Sequence, residues 1–272
     1  MHQNPGQVFI ALGGNFLQAS PDTEFTTRAL ENCSLTVPIS TKLNRSHLHT
    51  GKLGLILPCL GGSEHDEQES GPQFVTCENS MGVVQRSQGT LEPASPDLLS
   101  ETHIISRLAE TTLSGRTHVD WKRFRDNYDH IRSSIEQVIP GFDGFNKRSR
   151  KAGGFYLPNG AKERTWDTPG GKALFSAAPF EQFEVPENHL ILQTLRSHDQ
   201  FNTTVYGLND RYRGIGLGRR IIFLNPSDMK DLQIPPVALV DITSHWQGQK
   251  RHVEAFYAIP YDIPAGTAAA YF

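Results

Sequence analysis

Residues 189–214 read HLILQTLRSHDQFNTTVYGLNDRYRG, and hydrogen-bonding side chains crowd into the second part of that stretch. Arg196, Ser197, His198, Gln200, Asn202, Thr203 and Thr204 come first, followed by Asn209, Arg211, Tyr212 and Arg213. A surface turn needs only two to five residues and is usually built from Gly, Pro, Asn or Asp. The surplus fits a large polar ligand. A dianionic pyrophosphate needs several donors that keep their protons at neutral pH, and Arg, Ser, Asn, Gln and Thr supply them. Each charge-assisted bond is worth roughly 1.5–3 kcal/mol net, so three or four together would anchor a sizeable cofactor. A purely structural loop of this composition is the other reading.

Two further clusters could hold an anion. Gly13, Gly14 and Asn15 follow an apolar segment, VFIAL. Glycines there let the backbone approach a phosphate or a ring, and amides of a following helix attract negative charge. The full dinucleotide fingerprint spacing is missing, so an ordinary tight turn fits equally well. The second cluster, STKLNRSHLHTGK at residues 40–52, offers Thr41, Lys42, Asn44, Arg45, Ser46, His47, His49 and Lys52. It follows a second apolar segment, at the carboxyl edge where α/β sheets bind ligands. A solvated loop is the plainer reading.

Other chemistries find less support. There is no G-x-S-x-G elbow, and Cys33, Cys59 and Cys77 form neither a metal spacing nor a disulfide framework. These cysteines read as small buried apolar residues in a reducing, cytoplasmic setting. His47 and His49 have no acid or cysteine partner at metal-ligand spacing. The acidic run EHDEQE at residues 64–69 reads as a solvated surface. No acid–base pair stands out, and we assign no catalytic and no metal-ligating residue.

The elements that must position these clusters follow from pattern. VFIAL, LTVPIS and LGLILP read as strands, with a helix between the first two started by Ser20 and Pro21. That order is the pattern of a parallel α/β layer. Helical periodicity predicts helices over residues 97–113 and 119–139, and a strand at QFVTC. From residue 141 to 187 the chain is polar and reads as a linker. Beyond it, HLILQTL, RRIIFLN, VALVDIT and RHVEAFYAI read as short strands of a small β-barrel. We therefore expect an α/β domain over 1–140, a linker over 141–187 and a β domain over 188–272. The net charge of −3 provides no basic field for nucleic acid, and no apolar run is long enough to span a membrane.

Three long motifs point to a family. They are LPCLGGSEHDEQESGPQFVTCENSMGVVQRSQGTLEPASPDLLSE, GGFYLPNGAKERTWDTPGGKALF and TLRSHDQFNTTVYGLNDRYRGIGLGRRIIFLNP. In content and order they closely resemble the formate-dehydrogenase-like molybdopterin oxidoreductases, specifically alpha subunits of the formate dehydrogenase H-like kind, including an acid-resistance branch. The resemblance runs from about residue 7 to Phe272. It implies a partial Rossmann-like α/β layer followed by a double-psi β-barrel of the aspartate-decarboxylase-like type. It also implies molybdopterin guanine dinucleotide as cofactor, with molybdenum or tungsten in the complete enzyme and an iron–sulfur cluster in an N-terminal part.

On that resemblance the chain corresponds to the C-terminal portion of such an enzyme. The segments supplying the metal ligand and the cluster lie outside it, so activity alone is not expected. Its partner would be the N-terminal part of the same enzyme or an upstream chain, with formate as the family's default substrate. The alternative is a non-catalytic dinucleotide-binding module acting with a separate catalytic chain. Gly13, Gly14 and Asn15 match one cofactor-facing turn, Thr41, Lys42, Asn44, Arg45 and Ser46 a second loop. Arg196, Ser197, His198, Gln200, Asn202, Thr203 and Thr204 match the loop along the pterin and pyrophosphate. Two departures stand out: Gly62 replaces a common Arg, and IPPVALVD lacks the usual Gly-Asp turn before its strand.

Overall fold

The computed structural model describes residues 6–180, 184–200 and 206–271. The chain divides into two compact units, Met1–Ser176 and Ala177–Phe272.

The first unit opens with β1 (Val8–Leu12), α1 (Phe16–Ala19), α2 (Thr23–Glu31) and β2 (Leu35–Ser40). β1 and β2 are parallel, in register from Val8 opposite Leu35 to Leu12 opposite Ile39. The helix between them is the crossover that a parallel pair requires. It starts at Thr23, two residues later than Ser20 and Pro21 suggest, because the Asp22 carboxylate caps it by accepting from the Phe25 amide at 2.9 Å. A 3₁₀ turn (Arg45–Leu48) follows β2. LGLILP, expected as one strand, forms two short ones, β3 (Leu53–Gly54) and β4 (Leu57–Pro58), both parallel to β2.

After a small hairpin, β5 (Glu67–Gln68) and β6 (Gly71–Pro72), come β7 (Val75–Glu78) and β8 (Val83–Ser87), which pair antiparallel. Four helices follow: α3 (Glu101–Thr112), α4 (Trp121–Asp126), α5 (Tyr128–Val138) and α6 (Phe145–Ser149). Ile104 and Ile105 of α3 pack on Val37, Ile39 and Cys59, covering the β2 part of the parallel sheet.

The helix expected over 119–139 is broken. Asn127 is extended and serves as C-cap of α4 and N-cap of α5, its side chain accepting from the Asp129 amide. Groups from outside the helix hold the break open. Ser70 donates its amide and hydroxyl to the Asp126 carbonyl, and the Tyr128 amide donates to Gln73 Oε1. A 3.6-residue period detects the shared apolar face but not an interruption made by distant partners.

The stretch after α6 carries β9 (Phe155–Tyr156), paired with β8, and α7 (Gly160–Glu163). Phe145 and Phe155 form a core with Val84. At Gly154, with φ +67°, a Cβ would stand 2.0 Å from the Val84 carbonyl oxygen, so only glycine lets these strands approach.

Among the described residues the second unit is a mixed five-stranded sheet with one short helix: β10 (Ile191–Leu195), β11 (Ile221–Leu224), α8 (Pro226–Asp231), β12 (Leu239–Trp246), β13 (Gln249–Pro260) and β14 (Thr267–Tyr271). The strand order is β10–β14–β11–β13–β12. β11 is central and buried on both faces. Ile221 and Phe223 face one cluster with Ile215, Ala269 and Tyr271, while Ile222 and Leu224 face another with Met229, Ala258 and Ala268. HLILQTL forms the expected strand, and β10 is largely exposed because it sits at the sheet edge.

Candidate functional site

In the first unit the turn after β1 and the loop after β2 meet at the carboxyl edge of the parallel sheet. Gly13 and Gly14 both take left-handed backbone angles, φ +66° and +71°, which is why glycines stand there. The Gly13 amide donates to the Ile39 carbonyl at 2.8 Å, tying the turn to the end of β2. Asn44 Nδ2 donates to the Gly14 carbonyl at 2.9 Å. Ser46 Oγ donates to Asn15 Oδ1 at 3.3 Å and accepts from the Leu17 amide at 3.0 Å. Asn44 also starts the 3₁₀ turn through a capping box with His47, whose other ring nitrogen pairs with Ser40 Oγ at 3.1 Å.

This knot uses some of the donors that a helix terminus offers an anion. The Gln18 amide is taken by Asn15 Oδ1, and Leu17 by Ser46. Thr41, Lys42 and Arg45 remain exposed on the platform. Glu101 lies against the turn, its Oε1 3.6 Å from where a Cβ on Gly13 would be. A phosphate is therefore better placed toward Lys42 and Arg45 than at Gly13 itself.

In the second unit the loop after β10 is organised around a carboxylate that sequence reasoning passed over. Asp210 is 2% exposed. It accepts from Tyr271 Oη at 2.7 Å, from the Arg213 guanidinium at 2.6 Å, and from the amides of His198, Tyr212 and Arg213. Burial by itself would raise its carboxyl, but the bonds from Tyr271, Arg213 and the amides outweigh it and bring it down to about 2. The same burial, with Asp210 beside it, pushes the Tyr271 phenol up.

Arg219 completes the frame. It donates to Ser197 Oγ at 2.7 Å and to Gln200 Oε1 at 3.1 Å, and its guanidinium lies 4.0 Å from the centre of the Tyr206 ring. Ser197 and Gln200 are buried, whereas Arg196 and His198 are exposed, with the His198 ring stacked on Tyr212. Asn202, Thr203 and Thr204 lie outside the described residues. The run of donors is thus partly scaffold, since Arg213 binds Asp210 and Ser197 binds inward. Asp210 was legible only as one acid among arginines in NDRYRG, and Arg219 lies in a separate motif.

The acidic run at 64–69 is not the solvated surface its composition suggests. Glu64 accepts from the Gly61 and Ala94 amides at 2.5 and 2.7 Å, which hold its carboxyl below the usual range. Asp66 accepts from Tyr128 Oη at 2.7 Å. Two of the four acids are fasteners between distant segments. Among the described residues no helix is long and apolar enough to cross a membrane.

Comparison with known proteins places the chain beside proteins that carry the name oxidoreductase. It is 46% identical over 271 residues to "Uncharacterized oxidoreductase Rv2900c" of Mycobacterium tuberculosis, covering 97% of this chain and 35% of that protein. The match to "Uncharacterized oxidoreductase Mb2924c" of Mycobacterium bovis has the same identity and coverage. It is 38% identical over 275 residues to "Protein YdeP" of Escherichia coli, covering 98% of this chain and 36% of that protein. The chain therefore spans about a third of the length of the curated relatives it matches. No family model matches it.

Proposed function

We propose that this chain is the cofactor-binding C-terminal part of a formate-dehydrogenase-like molybdopterin oxidoreductase. The observation that carries the reading is the platform of the first unit. There, two loops leaving parallel strands at the carboxyl edge are bonded to each other through Asn15, Asn44 and Ser46, with Thr41, Lys42 and Arg45 exposed upon it. The names of the long relatives support the oxidoreductase part. The parallel β1–β2 pair is compatible with a Rossmann-like layer, and the mixed sheet of the second unit with a double-psi barrel.

The donor set fits a dinucleotide. Lys42 and Arg45 would meet phosphate in the first unit, and Arg196 with Gln200 would do so in the second. When bound, molybdopterin guanine dinucleotide supplies a molybdenum or tungsten centre for two-electron chemistry on a small substrate such as formate. This chain's residues hold and orient it.

The partner is the rest of such an enzyme, in the same polypeptide or an upstream chain. Val8, Ile10 and Leu12 support this. They lie in register with Leu35, Val37 and Ile39, yet are 55%, 41% and 50% exposed, because α3 covers only the β2 side of that face. Parallel sheets are ordinarily covered on both faces.

The test is the pterin content of the chain purified from a host that makes the cofactor, read by fluorescence after oxidation. We expect bound pterin, reduced at least fivefold in a Lys42→Ala, Arg45→Ala double variant that melts like the parent. Equal pterin in parent and variant would refute the platform.

A further inference from the structure

β10 and β12 stand at opposite ends of the strand order in the second unit, so no ladder joins them. Two histidines nevertheless bring their ends together. His189, two residues before β10, and His245, near the end of β12, have ring centres 5.3 Å apart and planes at 75°. Both residues are exposed. Their backbones are anchored beneath, since Leu190, Val240 and Ile242 all pack on the cluster that holds Ile222 and Leu224.

His189 is held in a defined state. Asn188, with φ +61°, turns the chain, and the His189 amide donates to the Pro186 carbonyl at 3.1 Å. Its ring Nδ1 lies 3.0 Å from the Glu187 carbonyl oxygen. A carbonyl only accepts, so Nδ1 carries the proton and Nε2 presents its lone pair. A bond from the second ring nitrogen to a carbonyl is a usual way in which a metal-binding histidine is oriented. The ring separation agrees. With zinc–nitrogen bonds of about 2.1 Å at a tetrahedral angle, and each ring centre about 1.1 Å behind its nitrogen, two imidazoles on one ion have centres about 5.2 Å apart. His252, the other histidine of the β12–β13 hairpin, is engaged elsewhere. Its Nδ1 pairs with Thr243 Oγ1 at 2.9 Å and its Nε2 lies 3.8 Å from Glu254.

We propose that His189 and His245 form a divalent-metal site, best suited to zinc, that clips the start of β10 to the end of β12. Imidazole is a good ligand for zinc, copper and nickel, and a tetrahedral angle favours zinc among them. The remaining positions go to water, because among the described residues no third histidine, cysteine or carboxylate completes the set. The site is separate from the cofactor loops. The five residues of β10, about 17 Å of extended chain, lie between His189 and the loop at 196–200.

The test titrates the untagged, metal-free full chain, labelled with ¹⁵N-histidine, with zinc sulfate and follows the ring nitrogens by NMR. We expect the signals of His189 and His245, identified by their loss in His189→Gln and His245→Gln, to shift together and saturate. In each variant the remaining ring should titrate at least tenfold more weakly, while the metal-free variant melts like the parent. His252→Gln should leave the titration of the pair unchanged. Zinc should also slow hydrogen exchange in peptides covering residues 189–195 and 240–246 of the parent, and in neither variant of the pair. Rings that do not shift, or only one that does, would reduce the pair to an aromatic contact and overturn the proposal. A remaining ring that titrates as in the parent would do the same. None of these measurements involves pterin, so the cofactor reading stands or falls separately.

Discussion

The two candidate sites are built on opposite principles. The platform of the first unit is tied by neutral groups: the amide side chains of Asn15 and Asn44, the hydroxyl of Ser46 and a main-chain bond from Gly13. Its unusual backbone angles fall on Gly13 and Gly14, where they carry no steric strain. The loop of the second unit is tied by charged groups, the buried Asp210 carboxylate and the Arg219 guanidinium, and that unit puts left-handed angles on Asn188, Asp199, Gln233, Val237, Gln247 and Ala255. A site held by many weak neutral bonds should lose a little with each substitution. One held by a buried ion should lose most in a single step, in acid or on loss of that ion.

The largest effect expected from this contrast is at Asp210. Asp210→Asn leaves Arg213 and Tyr271 without their ionised partner, and breaking such a buried pair costs about 3 kcal/mol. Urea unfolding followed by fluorescence should show the loss in the second unit only, and an unchanged midpoint would mean that the carboxylate does not hold the loop.

Next comes the pH dependence. The folded carboxyl lies at about 2, below its unfolded value. Its contribution is therefore full above about pH 4 and is lost as the pH falls through 2, and it amounts to about 2 kcal/mol. Acid titration of stability should reveal this limb in the parent and flatten it in Asp210→Asn. The same slope in both proteins would assign the acid sensitivity to other carboxylates.

Smaller losses, of about 1 kcal/mol each, are expected for Asn44→Ala and Ser46→Ala, and they should not vary with pH between 2 and 7. A pH-dependent loss would show that the platform too depends on an ionised group. The smallest effect has the opposite sign. Val237 is β-branched at φ +65°, so Val237→Gly should stabilise the second unit by about 0.5 kcal/mol. A lower melting temperature would show that the turn is not strained.

Periodicity and turn chemistry made β1, β2, β11 and the helical segments legible in the sequence, because each depends on its own residues. What escaped depended on partners far along the chain. Asn127 breaks a helix with help from Ser70 and Gln73, and Phe155 enters a core with Val84. β14 is a run of alanines that the apolar pattern does not single out, and it is a strand because β10 and β11 flank it. For the sites, composition located the loops but could not separate buried donors from exposed ones. Ser197 and Gln200 looked like Arg196 and His198 in the sequence. Arg219, brought in by the fold, bonds the first pair.

Hydrogen exchange of the chain with and without molybdopterin guanine dinucleotide tests whether these loops hold the cofactor. Slower exchange is expected in peptides covering residues 13–18, 40–47 and 196–200, with the α4–α5 region unchanged. Identical exchange at all three loops in the presence of the dinucleotide would contradict it.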